Sequence, residues 1–247
     1  MKFSHDFNKG QHFLLNKESI INEADISKND KVIEVGAGNG NLTEEIAKRA
    51  GKILAFEIDK RFNEPLNKLK EKHSNIKIIY GDSLKHDWKG YNKIVSNLPF
   101  FISGDLIIKS IEDDISEIVI IIGEKFKKIL EKKESKTGVI ANTFFDIKYL
   151  CKMKKEDFFP IPKVNSWLIK MKRKKIGKKE KILEDVLKKE GKIKNAIIYS
   201  LVENGWTKKQ AKNFINCSRI SNEILEKSAK KITGRFLVKL MKDLEKN

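Results

Sequence analysis

Five short apolar runs, each set off from the next by a helix-length segment, constrain this chain most. They lie at 31–35, 52–57, 76–80, 93–96 and 117–122. Each is nearly continuous in Val, Ile, Leu and Ala rather than alternating with polar residues. Strands buried on both faces of a parallel sheet read this way. Between them, Thr43–Ala50 reads as a helix with the small Ala47 inward, and Arg61–His73 as a second with Leu66 and Leu69 on one face. Two later runs, 142–149 and 165–171, flank a loop holding Pro160 and Pro162 and are expected to pair antiparallel at the sheet edge. The pattern predicts a doubly wound α/β domain, a Rossmann-like sheet with helices on both faces.

Composition changes after Met171. Between Lys170 and Lys194, twelve lysines and arginines face only Glu180, Glu184, Asp185 and Glu190. Beyond lie helical patterns at Ile182–Lys189, Ile193–Asn204, Thr207–Ile215, Ser221–Lys231 and Gly234–Lys246. Asn204-Gly205 reads as a helix stop and Thr207 as a helix N-cap. The expected division is a sheet domain over 1–175 and a small all-helical domain over 176–247.

Lysine and arginine number 52 against 34 acidic residues, a formal net charge of +18. Such an excess favours a polyanionic partner. Cys151 and Cys217 stand far apart with no His/Cys cluster, so both read as buried small hydrophobes, with no zinc site and no disulfide framework. The N-terminus has no apolar signal segment, and no run nears the roughly 20 residues of a membrane span. These features predict a cytoplasmic protein.

Glu34-Val-Gly36-Ala-Gly38-Asn-Gly40 closes the first strand and opens a helix. Glycines there let the backbone turn tightly and approach a ligand. The spacing G-x-G-x-G after a strand acid resembles the S-adenosylmethionine (SAM) site of Rossmann-like methyltransferases rather than a dinucleotide fingerprint. The second strand ends Glu57-Ile-Asp59, where a carboxylate can accept both ribose hydroxyls. Glu57 is the choice over Asp59, since it directly follows Ala-Phe and matches the methyltransferase pattern. The third strand ends Gly81-Asp82, where Asp82 can accept from an adenine amine or cap a helix.

Ser96-Asn97-Leu98-Pro99-Phe100 follows the fourth strand. An aromatic amine is a poor nucleophile, because its lone pair is delocalised into the ring. The Asn97 side-chain oxygen and the Leu98 carbonyl could accept its N–H bonds and let the nitrogen become tetrahedral. Pro99 fixes the backbone, and Phe100 offers a stacking face worth about 1–3 kcal/mol per base. A structural Asn-x-Pro turn reads the same way. Phe158, in Asp157-Phe158-Phe159-Pro160, is the candidate for the opposite face of the base, with burial in the core as the other reading.

These segments resemble the ribosomal RNA adenine N6-dimethyltransferases, a superfamily of KsgA-type small-subunit enzymes and Erm-type large-subunit enzymes. The resemblance spans roughly residues 8–172. It rests on Lys9-Gly-Gln11-His12-Phe13-Leu14, Glu34–Gly40, Glu57–Asp59, Gly81-Asp82, Asn97–Phe100 and Phe158–Ser166. It implies SAM as cofactor, rRNA or a ribosomal precursor as partner, and His12 and Leu14 as donor contacts. It also implies that the helical domain binds RNA, with Lys192-Ile-Lys-Asn195 standing where KsgA-type proteins carry arginines. Asn-Leu-Pro favours the KsgA type, while Gln-His-Phe-Leu and Lys163-Val-Asn-Ser166 are similar to some Erm members. The chain departs from the KsgA pattern at Gly123–Phe126 and Lys136–Val139, where arginines and a tyrosine are replaced. A non-catalytic ribosome-assembly or nucleic-acid-binding factor is the contrasting reading. DNA adenine methyltransferases fit less well, since Leu98 stands where they carry proline.

Overall fold

The computed structural model describes residues 12–99, 101–218 and 220–246. The sheet runs β1 (Lys31–Val35), β2 (Lys52–Glu57), β3 (Ile76–Tyr80), β4 (Lys93–Asn97), β5 (Glu117–Gly123), β6 (Phe145–Met153) and β7 (Ser166–Arg173). Its order is β3-β2-β1-β4-β5-β7-β6. The strands from β3 to β5 pair parallel, and β7 lies antiparallel to β5 in the register Gly123↔Ser166. Strand order reverses between β1 and β4, so a crevice opens at their carboxyl ends. The near-continuous apolar runs are explained by burial: every residue from Ile118 to Ile122 is fully enclosed.

Among the helices, α1 (Glu18–Ala24), α2 (Asn41–Arg49), α3 (Asn63–Lys72) and α4 (Ser103–Glu112) accompany the sheet, and α5 (Glu124–Lys132) follows β5. α2 starts two residues before the expected Thr43. Asp59 caps a 3-10 turn, Lys60–Phe62, that leads into α3. At the amino edge of the sheet, the buried Lys93 donates to the carbonyls of Ala24 (2.7 Å) and Asp25 (3.0 Å) and lies near Asp30 and Glu117. That cation is fully engaged in holding structure, whereas the carboxyl edge is left for ligands.

The chain divides into two compact units, one of residues 1–128 and 146–173, the other of 129–145 and 174–247. The second contains α6 (Lys136–Phe144), α7 (Lys178–Lys188), α8 (Ile193–Glu203), α9 (Lys208–Cys217), α10 (Asn222–Leu225) and α11 (Gly234–Glu245). Residues 129–145, expected in the sheet domain, group with these helices. Ser135 caps α6 by accepting from the Gly138 N–H at 3.0 Å, and α11 packs on α6 and α7. Residues 142–144, expected as strand, are the last turn of this helix, and β6 begins only at Phe145. Thr207 caps α9 with Gln210 in a reciprocal pair, as its sequence suggests. The helix expected over Ser221–Lys231 is broken: Ser228 caps a separate 3-10 turn and forms a bridge with Lys192.

Both cysteines are exposed, contrary to the expectation of burial. Cys151 lies on the sheet's edge strand, β6, and Cys217 is the final residue of α9. Among the described residues, no helix is long and apolar enough to cross a membrane.

Candidate active site

The crevice at the carboxyl edge is a cavity of about 580 Å³, inside the range of roughly 300–1,000 Å³ that small-molecule sites occupy. Its floor begins at the glycine turn. Gly36, Gly38 and Gly40 all hold positive φ, at 78°, 54° and 82°. The Gly36 and Ala37 N–H groups donate to the Phe56 carbonyl, which turns the loop back onto β2. A Cβ on Gly38 would lie 3.2 Å from the Phe13 ring, so the bare backbone admits the strap above it.

Gly40, expected among the cofactor contacts, does not line the cavity. A Cβ there would collide with Leu69 Cδ1. Its work is to let α2 approach α3 closely, the packing task of a third glycine in such turns.

Glu57 sits at the end of β2 with its carboxylate buried. Oε2 accepts from the Gly38 N–H at 2.7 Å, and Oε1 from Ile58 (2.8 Å) and Asp59 (2.7 Å). It therefore ties the glycine turn to its own strand end while facing the cavity. Asp59 points elsewhere: it is bound by the Arg61 guanidinium through Nε (3.0 Å) and Nη2 (2.5 Å) and does not line the cavity.

Asp82 lines the cavity after β3 and does cap a short turn, its Oδ1 accepting from the Leu84 N–H at 3.1 Å. The turn is anchored from below by Trp88, whose indole N–H donates to the Ser83 carbonyl at 3.1 Å. Trp88 is fully buried and stabilised by the Lys109 ammonium 5.0 Å from its ring.

Beneath the glycine turn lies Glu34, 1% exposed. Thr43 Oγ1 donates to its Oε2 at 2.6 Å. Burial, reinforced by the nearby Glu57 carboxylate, outweighs that bond and pushes its pKa up to about 8. A neutral carboxyl under the turn keeps a second anion away from Glu57.

Across the cavity stand Asn97, Leu98 and Pro99, at the end of β4. The Asn97 Nδ2 donates to the His12 carbonyl at 2.8 Å, which leaves Oδ1 as the acceptor end of the amide. Phe100 lies outside the described residues. His12 is held from its ring as well, with Nδ1 2.7 Å from the Pro160 carbonyl. Phe13 and Leu14 pair antiparallel with Phe159 and Phe158, so His12 and Leu14 cross the cavity as a strap. Phe158 is buried as its core reading expects, 3% exposed and packed in the core with Leu14, and it also lines the cavity.

The cavity thus gathers His12, Leu14, Gly36, Gly38, Glu57, Asp82, Asn97, Leu98, Pro99 and Phe158. Sequence reasoning missed Phe13, Ile58, Phe101 and Asp105, which also line it. Phe101 adjoins a motif already singled out, and Asp105 is the one acid in the first turn of α4; nothing local marks Ile58. The lysine-rich run is less open than its composition suggests. Lys170 and Lys172 lie on β7 near Glu117, and Lys181, Lys188, Lys189 and Lys192 pair with acids.

A largely parallel sheet whose glycine turn, paired acids and amide-proline turn converge on one cavity defines the Rossmann-like methyltransferase class. Residues 2–232 match the ribosomal RNA adenine dimethylase family, and the chain belongs to it. It is 33% identical over 257 residues to a probable ribosomal RNA small subunit methyltransferase A of Methanosphaera stadtmanae, covering 98% of this chain and 94% of that one. A protein of the same name from Methanococcus maripaludis is 36% identical over 192 residues, 72% of this chain and 73% of its own. The fold is shared with a dimethyladenosine transferase from Plasmodium falciparum (TM-score 0.62, 23% identity, 94% and 97% of the two chains). It is shared equally with the 23S rRNA methyltransferase ErmE (TM-score 0.62, 20% identity, 94% and 99%).

Proposed function

We propose that the chain methylates the N6 nitrogen of adenine in small-subunit ribosomal RNA, twice on one nitrogen, with S-adenosylmethionine as donor. The observation that carries this reading is the Asn97 amide. Its nitrogen is spent on the His12 carbonyl, so its oxygen is the end available to an amino group in the cavity. Asn97 Oδ1 and the Leu98 carbonyl accept the two N–H bonds of the adenine amine and draw its lone pair out of the ring. Catalysis is then positioning and electrostatics, with no strong base required. Phe158 bounds the acceptor end with an apolar wall.

The donor residues suit S-adenosylmethionine, which when bound supplies an electrophilic methyl group on a sulfonium. Glu57 has three backbone N–H groups fixing its carboxylate, which holds it rigid for ribose hydroxyls. Asp82, with one oxygen capping its turn, offers the other to an adenine amine. Gly36 and Gly38 leave room for the amino-acid part, and His12 and Leu14 cover it. The helical unit binds RNA phosphates through cations left unpaired, such as Lys178 and Lys179.

The small-subunit substrate is supported by the names of relatives 33–36% identical to this chain. The test is methyl transfer from radiolabelled SAM to purified small and large ribosomal subunits lacking dimethyladenosine, with mass mapping of the product. N6,N6-dimethyladenosine in small-subunit rRNA is the expected result. Label in large-subunit rRNA would move the chain to the Erm type. Bound SAM with no label on either would favour a binding factor.

A further inference from the structure

Within three residues the cavity wall passes from depth to surface. Leu98 is 3% exposed and Phe101 is 79% exposed, yet both line the same cavity. Phe101 is the most exposed large hydrophobic side chain among the described residues. Leaving so large an apolar ring in water forgoes the favourable free energy of burying it. Such a ring at the lip of a ligand site is suited to a flat partner that covers it.

Asp105 lies one turn further on, in the first turn of α4, and lines the same cavity. It is exposed, and among the described residues it has no hydrogen bond or ion pair. The turn that carries both is well fixed: the Ile102 N–H donates to the Pro99 carbonyl at 3.2 Å and the Leu106 N–H to the Ile102 carbonyl at 3.0 Å. In a chain of net charge +18, an unpaired carboxylate beside the site repels phosphate locally. What it accepts is a base edge bearing N–H groups.

We propose that Phe101 and Asp105 form a second base subsite at the cavity mouth, for the nucleotide adjoining the methylated adenine. The inference rests on the adenine-methylation reading. Phe101 stacks on the neighbouring base, and Asp105 accepts hydrogen bonds from its edge. The target adenine belongs at Asn97 and Leu98, in the depth; a ring as exposed as Phe101 meets what remains outside. Guanine fits best, because its N1–H and N2–H groups lie side by side and match both oxygens of one carboxylate. Uracil offers one N–H between two carbonyls that the carboxylate repels. The subsite would make sequence context around the target part of recognition.

The experiment is methylation kinetics of the full chain on small-subunit rRNA transcripts carrying each of the four bases beside the target adenine. Wild-type protein should show its lowest KM with a neighbouring guanine. Phe101→Ala should raise KM for RNA by about tenfold or more, with kcat and the SAM Kd little changed, and Phe101→Tyr should restore it. Asp105→Asn should flatten the preference among neighbours. An unchanged KM in Phe101→Ala overturns the stacking role. Asp105→Asn that weakens SAM binding while keeping base preference overturns the edge-reading role and assigns the carboxylate to the donor. Wild-type protein that methylates neither transcripts nor small-subunit particles fails the adenine reading itself, and the subsite falls with it.

Discussion

The side-chain amide of Asn97 donates to the backbone carbonyl of His12 at 2.8 Å, across 85 positions of sequence. One bond thus joins the turn after β4 to the strap across the cavity. It sets which end of the amide is free and closes the strap in the same act. Any substitution of Asn97 therefore acts on both ends of the cavity, and its consequences separate by measurement.

Asn97→Ala removes the proposed acceptor for the adenine amine and should lower single-turnover transfer by on the order of 10²–10³-fold, as loss of one positioned hydrogen-bonding group does. SAM binding should persist, weakened only by the loosened strap. Asn97→Asp keeps an acceptor but sets a carboxylate against the His12 carbonyl, and should weaken donor binding more than Asn97→Ala does. Turnover unaffected by Asn97→Ala would remove the residue from the mechanism.

Glu57 and Asp59 are two residues apart, and the geometry assigns them different work. Glu57→Ala deletes an acceptor for three backbone N–H groups as well as the proposed ribose contact. It should weaken SAM binding by about 10-fold or more, each charged hydrogen bond being worth roughly 1.5–3 kcal/mol. Asp59→Asn should leave SAM affinity near wild type, since Asp59 serves Arg61. Calorimetric titration of both variants decides it, and equal losses would refute the assignment.

Glu34 is held neutral, its pKa raised from an ordinary 4.5 to about 8 by burial. The unfolded chain ionises this group from pH 4.5 upward while the folded chain retains the proton. Stability is therefore lost as pH rises from about 4.5 to about 8, by at most on the order of 5 kcal/mol. Glu34→Gln keeps an oxygen for Thr43 and removes the titration. Its melting temperature relative to wild type should climb between pH 5 and pH 8. A difference that stays flat with pH would mean Glu34 is ionised in the fold.

Lys178 and Lys179 open α7, where the positive end of the helix disfavours cations. Both are exposed and, among the described residues, unpaired. Replacing both with glutamate should leave the helix as stable or slightly more so, while lowering RNA affinity. The slope of log affinity against log salt should flatten by about 0.7–0.9 for each phosphate no longer neutralised. Filter binding across a salt series measures it; an unchanged slope would show that these lysines do not meet RNA.

Much of the fold was legible because its signals are local. Ile118–Ile122 can only be a strand buried on both faces, and the glycines of Glu34–Gly40 only a tight turn after one. Thr207 announced a helix start as its N-cap. Structure departs from sequence pattern where neighbours distant along the chain intervene. Residues 142–144 read as strand, but they form the last turn of α6, on which α11 packs. Cys151 has a buried residue's composition and an edge strand's position.

The site divides the same way. The chain alone determined which chemical groups stand at the strand ends, since each follows directly from a short apolar run and needs only that run to become a strand. Tertiary structure decided what each group does there. Glu57 rather than Asp59 faces the cavity because Arg61 claims the latter. Gly40 spaces two helices because Leu69 lies against it, and Asn97 presents its oxygen because His12 takes its nitrogen. Phe101 and Asp105 reached the cavity mouth unannounced. Exposure and hydrogen-bond partnership are set by atoms tens of residues away, and short-range pattern carries no record of them.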